Sequence, residues 1–251
     1  MQNTPLLTGR VAIIIGASSG IGAASARSLA LAGAHVVLVA RRKERLESLA
    51  QEIQQKGGEA TTFVADITQD NDVGSLFADI KARFRKLDIL VNSAGIMLLS
   101  PVAEASPQDW RRMIDSNLYG LMLTCQMALP LMKASGAGHI VNIASLAGRV
   151  ANPNASGYAA TKFGVVAFSE SLRREVFADK IRVTVIEPGV VESELQEHIT
   201  NAAMKANLLE RMAQVESLQP EDIAAAILYA VTQPPRVAVN EILIRPAGQE
   251  R

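Results

Sequence analysis

The sequence predicts an α/β fold, a doubly wound parallel sheet of seven strands with helices on both faces. Short apolar runs alternate with longer helical patterns along the whole chain, and this order is typical of a parallel sheet between helices. The first two apolar runs are continuous rather than alternating, which indicates strands that are covered on both faces. The 251 residues contain no long repeat, linker or low-complexity segment, so we expect a single domain over residues 1–251.

The apolar and helical patterns place each element in turn. Strands are predicted at Val11–Ile15, Val36–Ala40, Thr61–Ala65, Ile89–Val91, Ile140–Ile143, Val183–Ile186 and Ile242–Ile244. Helices are predicted near 20–32, 43–56, 70–84, 107–134, 158–178 and 220–231.

The stretch 190–218 interrupts this alternation, because it is helix-prone and contains no strand pattern. It follows a strand late in the chain, and we therefore expect it to form a lid over a site at the strand ends. A peripheral helical hairpin without a role in binding is the alternative.

Composition argues against several classes of partner. The 25 basic and 25 acidic residues give a formal net charge of zero without a basic block, so nucleic acid is not an expected partner. The longest uncharged run, 116–132, is interrupted by polar residues and Pro130, whereas a membrane span needs about 20 mostly apolar residues. We therefore expect no membrane association.

Two features favour the cytoplasm as the location. Residues 1–10 do not show the basic and apolar regions of a signal peptide. The single cysteine, Cys125, cannot form an internal disulfide and suits a reducing compartment. The three histidines are scattered without ligand spacing, and no metal site is predicted.

Three glycines, Gly16, Gly20 and Gly22, follow the first strand and open a helical pattern. Glycine allows a tight turn, a close approach of the backbone to a phosphate, and close packing of a helix on a strand. The helix start then presents unpaired N–H groups to an anion. The pattern predicts a phosphate-binding turn, with an ordinary tight βα turn as the alternative.

Tyr158 and Lys162 are four residues apart in a helical pattern and therefore share one helix face. Hydride transfer to a carbonyl leaves negative charge on its oxygen, which must be stabilised and protonated. A free tyrosine has a pKa of about 10, and a neighbouring cation typically lowers such a pKa by about 1–3. Together with the glycine turn, this pair predicts a nicotinamide-dependent oxidoreductase in which Tyr158 is the acid/base.

From about Leu7 to Pro246 the chain resembles the classical short-chain dehydrogenase/reductase family. It differs at Ile15 and Ser93, where the family commonly has Thr and Asn. The resemblance implies a Rossmann-type sheet and an NADP-dependent alcohol dehydrogenase or carbonyl reductase. Besides the glycine turn and the Tyr158/Lys162 pair, the matching motifs are Asp66, Asn92-Ser-Ala-Gly95, Asn117, Ser145 and Pro188-Gly-Val-Val-Glu-Ser193.

The resemblance also implies a role for each site residue. Ser145 would hydrogen-bond the substrate oxygen, Lys162 would also bind the nicotinamide ribose, and Asn117 would hold a water that relays protons. The implied catalytic residues are Asn117, Ser145, Tyr158 and Lys162. The implied cofactor-binding residues are Gly16, Ser18, Ser19, Gly20, Ile21, Gly22, Arg41, Arg42, Asp66, Ile67, Asn92, Ala94, Gly95, Tyr158, Lys162, Pro188, Gly189, Val191 and Ser193.

The end of the second strand predicts which nicotinamide dinucleotide is used. Ala40 is followed by Arg41-Arg42-Lys43. An acidic residue at this point would accept a bond from a ribose 2′-hydroxyl, whereas basic residues pair with a 2′-phosphate. Cations at a helix start oppose the helix dipole, which indicates an external anion. NADP(H) is therefore the expected cofactor, and the resemblance implies that Arg41 is the main phosphate ligand, with Ser18 or Arg42 as helpers.

The substrate is expected to be a small carbonyl compound or the corresponding alcohol. Arg149 could pair with a substrate carboxylate or could be a structural loop arginine. Segments 92–102, 147–149 and 187–200 resemble the subgroup that contains clavaldehyde-reducing (clavulanic acid) dehydrogenases, and 240–246 resembles enzymes of small 3-hydroxy acids. The expected pocket walls are Met97, Leu98, Leu99, residues 146–154 and the lid.

Residues 118–132 and much of 158–177 are apolar almost all round the helix, so the side away from the sheet predicts a subunit interface. A homo-oligomer is expected, with a tetramer favoured and a dimer as the alternative.

Two other functions are considered. A catalytically silent NADPH-binding regulator typically lacks the Tyr or the Lys, and relatives that reduce enoyl groups or epimerise usually space these residues differently or alter the upstream Ser.

Overall fold

The structure is a computed structural model that describes residues 6–249, so both ends of the domain expected over residues 1–251 lie outside the described residues. It contains one sheet of seven parallel strands in the order β3-β2-β1-β4-β5-β6-β7. The predicted fold class is confirmed. The strands are β1 (Val11–Ile15), β2 (His35–Ala40), β3 (Glu59–Val64), β4 (Ile89–Asn92), β5 (Gly138–Ile143), β6 (Ile181–Pro188) and β7 (Glu241–Ile244).

The helices lie close to their predicted positions with one exception. The predicted helix over 107–134 is two α-helices joined by a π-helical turn at Asp115–Tyr119. Short 3₁₀ turns lie at Val102–Glu104, Leu146–Gly148, Phe177–Asp179 and Glu194–His198. The α-helices are α1 (Gly20–Leu31), α2 (Lys43–Gln55), α3 (Asp70–Arg83), α4 (Pro107–Ile114), α5 (Gly120–Ala134), α6 (Ser156–Val176), α7 (Ala202–Met212) and α8 (Pro220–Thr232).

The sheet separates two apolar cores. Every residue of β1 is buried; Val11, Ile13 and Ile15 face one core, and Ala12 and Ile14 face the other. Helices α1, α2 and α8 cover the second core, while α3, α5 and α6 cover the first. The continuous apolar pattern of β1 therefore reflects a strand covered on both faces.

The strand order reverses between β1 and β4, which are neighbours in the sheet. The chain leaves β1 toward the face that α1 covers, and after β4 it continues to α5 on the opposite face. Such a reversal opens a crevice at the carboxyl ends of the strands, where ligands bind in open α/β sheets.

The 190–218 segment is helical, as predicted, and contains the 3₁₀ turn at Glu194–His198 together with α7. Its two ends are joined, because Leu218 N donates to Val190 O at 3.0 Å and Glu192 N donates to Leu218 O at 2.8 Å. None of the α7 residues is buried. The segment is thus anchored at its base and makes little contact with the two cores. Within residues 6–249, no helix combines the length and the apolar character needed to cross a membrane.

Candidate active site

The glycine turn between β1 and α1 has the tight geometry that the sequence predicts. Gly16 and Gly20 have φ angles of +81° and +51°, a region that glycine adopts without steric cost. A Cβ atom on Gly16 would lie 2.7 Å from the backbone N of Ala94, and one on Gly22 would lie 2.2 Å from the carbonyl oxygen of Gly16. The turn therefore depends on close approaches of backbone to backbone at both positions.

The start of α1 is open to an anion. Ser19 precedes the helix without a side-chain hydrogen bond to it, and its first turn contains no acidic residue. The hydroxyl of Ser19 instead accepts a hydrogen bond from Arg42 Nη2 at 2.7 Å. Unpaired N–H groups and the positive end of the helix dipole are the elements of a phosphate site.

A cleft of about 470 Å³ runs along the carboxyl ends of the strands from this turn. Most of the predicted site residues line it, but Gly22, Asn92 and Asn117 are not among its lining residues. The predicted residues that line the cleft are Gly16, Ser18, Ser19, Gly20, Ile21, Arg41, Arg42, Asp66, Ile67, Ala94, Gly95, Ser145, Tyr158, Lys162, Pro188, Gly189, Val191 and Ser193.

Tyr158 and Lys162 lie on α6 and contribute to the same wall of the cleft. Lys162 Nζ is 5.7 Å from the centre of the Tyr158 ring and donates a hydrogen bond to Ile143 O at 2.9 Å. Ser145 caps the 3₁₀ turn that follows β5, where its Oγ accepts a hydrogen bond from Ala147 N at 3.1 Å. A phenol, an ammonium and a hydroxyl are thereby brought together at the end of β5.

Burial dominates the electrostatics of the two ionisable groups. It raises the pKa of Tyr158 to about 12, an effect that a hydrogen bond with Ser145 partly offsets. It also lowers the pKa of Lys162 to about 8. Desolvation disfavours the charged form of both groups. The direction of the Tyr158 shift is therefore opposite to the one expected from a neighbouring cation, and the phenol is protonated at neutral pH.

Asn117 lies behind the cleft rather than in its lining. It is buried in the π-helical turn, where its Oδ1 accepts from Ile96 N at 2.8 Å and its Nδ2 donates to Ile96 O at 2.9 Å. Nδ2 also donates to Thr161 Oγ1 at 3.1 Å. A Cβ on Gly95 would lie 3.2 Å from Asn117 Oδ1 and 3.8 Å from Lys162 Nζ. Asn117 thus fixes the backbone beside Lys162.

Asn92, which the resemblance assigns to the cofactor, is not among the lining residues of the cleft. Its side chain is buried and forms hydrogen bonds with Asn142 Oδ1 at 2.9 Å and Thr124 Oγ1 at 2.8 Å. These bonds connect β4 with β5 and α5, so the amide is occupied within the protein interior. Ala94 and Gly95, the other predicted residues of this loop, do line the cleft.

Two arginines that follow β2 line the cleft, and Arg42 contacts the glycine turn. Arg42 Nε and Nη2 donate to Ser18 Oγ at 3.1 and 2.9 Å. The side chain of Arg41 is 70% exposed, and its Nη1 lies 3.8 Å from Asp66 Oδ2. Asp66 Oδ1 accepts hydrogen bonds from the N and Oγ1 of Thr68 at 3.0 and 2.9 Å. Both arginines reach the cleft, and Arg42 is the more firmly held.

Arg149 is bound to two glutamates. Its Nε donates to Glu187 Oε1 at 2.7 Å, and Nη2 donates to Glu241. Glu187 is fully buried, and its Oε2 has no hydrogen-bond partner. Of the two alternatives, the structure favours the structural loop arginine, because the guanidinium is occupied by β6 and β7 and not directed at a substrate.

An apolar cluster packs around Tyr158. Leu98 and Met113 are buried against Tyr158, and Met97 and Leu99 are partly buried beside them. Residues 97–99 are not among the lining residues of the cleft, so the pocket wall expected from them stays a prediction. No cluster of metal-ligating side chains occurs among residues 6–249.

Three residues that hold side chains at or near the site were not predicted from the sequence. Thr161 donates to Tyr158 O at 2.8 Å and accepts from Asn117. Glu187 binds Arg149, and Glu194 binds Arg42 and Arg45. The bond of Thr161 to Tyr158 O is local to α6, but the contact of Thr161 with Asn117, 44 residues away, does not follow from the sequence. The partners of the two glutamates are also remote in sequence and carried no signal.

The chain is similar to known oxidoreductases in sequence. Residues 10–204 match the family model described as short chain dehydrogenase. An uncharacterized oxidoreductase of Staphylococcus saprophyticus is 38% identical over 244 residues, which cover 96% of this chain and 97% of that protein.

The fold is also similar to solved structures of dehydrogenases. The closed form of a serine dehydrogenase complexed with NADP⁺ superposes with a TM-score of 0.88 at 32% identity, covering 96% of each chain. An alcohol dehydrogenase from the archaeon Thermococcus sibiricus, complexed with 5-hydroxy-NADP, gives a TM-score of 0.86 at 29% identity, covering 96% of this chain and 98% of that one.

Proposed function

Because this chain belongs to the short chain dehydrogenase family, we propose that it is an NADP(H)-dependent oxidoreductase that interconverts a carbonyl compound and the corresponding alcohol. The observation that carries the proposal is the placement of Tyr158, Lys162 and Ser145 in the same cleft as the glycine turn. A proton donor, a cation and a polarising hydroxyl thus lie in one crevice with a phosphate-binding turn.

The residues of the cleft fit a nicotinamide dinucleotide that carries a 2′-phosphate. Cβ atoms on Gly16 and Gly22 would strike the protein's own backbone, so glycine at both positions keeps the tight turn that can present its N–H groups to a phosphate. Arg41 and Arg42, with Ser18, supply the charge and the donors for the 2′-phosphate. Asp66 and Ile67 are assigned to the adenine, and Pro188, Gly189, Val191 and Ser193 to the nicotinamide end. The two NADP-bound neighbours support this assignment.

In the direction of reduction, NADPH held in this cleft would supply the hydride that the carbonyl carbon accepts. Ser145 Oγ orients the carbonyl oxygen, and Tyr158 Oη gives that oxygen its proton, so that one alcohol forms and one phenolate remains. The raised pKa of Tyr158 keeps this proton available at neutral pH. The Lys162 ammonium stabilises the phenolate, and a water held near Asn117 returns a proton from solvent.

Further parts of the proposal concern the surroundings of the site. We assign the 190–218 segment as a substrate lid on a single domain, since its two ends are joined at its base and none of its α7 residues is buried. The apolar wall around Tyr158 suits a small carbonyl substrate, such as those of the clavaldehyde-reducing subgroup. We place the enzyme in the cytoplasm and propose that it works as a homotetramer.

Replacement of Tyr158 by Phe tests the proposed function. Tyr158→Phe removes the proton donor but keeps the ring, so we expect kcat to fall by about 10²- to 10⁴-fold with NADPH binding largely unchanged. Loss of NADPH absorbance across a panel of aldehydes and ketones measures turnover, and fluorescence titration measures binding.

Tyr229→Phe is the matched control, because Tyr229 is exposed on α8. Substantial reductase activity in Tyr158→Phe would show that the proton comes from another group. If the unaltered protein binds NADPH but turns over no member of the panel, a silent NADPH-binding regulator is the better interpretation.

A further inference from the structure

Glu194 lies at the start of the 3₁₀ turn in the 190–218 segment and binds two arginines at the start of α2. Arg42 Nη1 donates to its Oε2 at 2.7 Å, and Arg45 Nη1 donates to its Oε1. The two arginines are 152 and 149 residues away in sequence and three residues apart at the start of α2. The contact therefore joins the 190–218 segment to the start of α2, where Arg42 also contacts Ser18 and Ser19 of the glycine turn.

The guanidinium of Arg42 has little capacity left for another anion. Besides the bond to Glu194, Nε and Nη2 donate to Ser18 Oγ and Nη2 donates to Ser19 Oγ. These four bonds use four of the five N–H donors of an arginine. A phosphate that enters this corner therefore competes with Glu194 for Arg42.

The electrostatics favour such an exchange. Hydrogen bonds from Arg42 and Arg45 lower the pKa of Glu194 to about 2, so its carboxylate is charged at neutral pH. The side chain is 32% exposed, and ion pairs with such access to water are weak. A phosphate monoester carries about −1.5 to −2 charges near neutral pH and three acceptor oxygens. The phosphate therefore binds Arg42 more strongly than the Glu194 carboxylate does. The two negatively charged groups also repel each other.

We propose that Glu194 is a specificity-determining residue that competes with the 2′-phosphate of the cofactor for Arg42. A dinucleotide with a 2′-phosphate then has to release the 190–218 segment from α2, whereas one without this phosphate leaves the contact in place. The inference rests on the proposed function only in that the cleft must bind an adenosine dinucleotide. It makes the position of the segment depend on the cofactor's phosphate.

The test uses Glu194→Gln with adenosine 2′,5′-bisphosphate and adenosine 5′-monophosphate as probes, in calorimetric titrations that need no turnover. We expect the substitution to tighten binding of the bisphosphate by about 3- to 10-fold, because a neutral amide competes poorly for arginine. Binding of the monophosphate stays unchanged. Glu197→Gln is the matched control, since Glu197 is an exposed carboxylate of the same turn, and it should change neither affinity.

Hydrogen exchange of residues 193–199 gives a second readout. In the unaltered protein, the bisphosphate should speed exchange there and the monophosphate should not, while Glu194→Gln should exchange fast without a ligand. Unchanged or weaker binding of the bisphosphate by Glu194→Gln, or equal tightening of both probes, overturns the inference. If neither probe binds any variant, the proposed function falls with it. Turnover by Tyr158→Phe would overturn the proposed mechanism alone.

Discussion

At the scale of single residues, burial keeps the phenol of Tyr158 protonated. Burial raises the pKa of Tyr158 to about 12 and lowers that of Lys162 to about 8. Lys162 is therefore the group that titrates near physiological pH, and the phenol keeps its proton. Tyr158 can therefore donate a proton to the alkoxide that forms when a carbonyl is reduced.

The pH dependence of reduction follows from the lysine. The pKa of Lys162 is lowered in the folded protein, so its charge is present below about pH 8 and is lost above it. We expect kcat/KM for carbonyl reduction to be level below about pH 7 and to fall up to 10-fold for each pH unit above about pH 8. Initial rates at saturating NADPH between pH 6 and 10 measure this, with each variant checked for folding by circular dichroism.

Lys162→Met should be slow at every pH and should lack the step near pH 8. A profile that stays level to pH 10 in the unaltered protein contradicts the assignment of Lys162 as the cation that assists Tyr158.

Site residues were predictable where neighbours in sequence are also neighbours in space. Tyr158 and Lys162 share a helix face by their spacing alone, and the structure places both in the cleft. The partner of Arg149 was not predictable, since Glu187 is 38 residues away and charge alone does not identify which carboxylate is near. The pKa of Tyr158 was also beyond the sequence, because burial depends on the packing of residues such as Leu98.

At the scale of elements, α1 lies against the end of β1 at a distance that only glycine permits. A Cβ on Gly22 would lie 2.2 Å from the carbonyl oxygen of Gly16, and the obstacle is backbone, which cannot rotate away. Gly22 itself does not line the cleft. Its contribution is to hold the start of α1 in line with the crevice.

Gly22→Ala should therefore displace α1, lower the stability of the fold and weaken NADPH binding. Gly74→Ala is the matched control, since Gly74 lies within α3 and an added Cβ meets nothing within 4 Å. We expect Gly74→Ala to raise the free energy of unfolding by about 0.5–1 kcal/mol, because alanine favours a helix over glycine. Urea denaturation and NADPH titration measure both effects. Normal stability and NADPH affinity in Gly22→Ala would contradict the close-packing argument.

The boundaries of most elements were predictable from apolar periodicity, but the π-helical turn at Asp115–Tyr119 was not. An α-helix and a π-helical turn differ by one residue in the span of a hydrogen bond, too little to alter the apolar pattern of 107–134. The turn nevertheless contains Asn117, whose amide reaches Ile96. Such turns are often found at functional sites, and this one lies directly behind Lys162.

At the scale of the whole molecule, α5 and α6 leave large apolar side chains uncovered. Both helices contribute one side to the core, with residues such as Leu121 and Val165. Met122 on α5 and Phe163 on α6 remain 39% and 43% exposed, and Tyr119 just before α5 is 41% exposed. The sequence predicted helices that are apolar on both sides, and the exposed side chains are the candidates for a subunit interface.

The homotetramer is testable at this surface. We expect the unaltered protein to sediment as a tetramer at micromolar concentration, and Met122→Glu combined with Phe163→Glu to shift it toward smaller species. A symmetric interface repeats every substitution, so each glutamate would bury like charges against one another without partners, which is strongly unfavourable. Leu31→Glu is the control, because Leu31 is 80% exposed on α1, away from α5 and α6. Sedimentation of the unaltered protein as a monomer overturns the assembly, and an intact tetramer in the double variant places the interface on another surface.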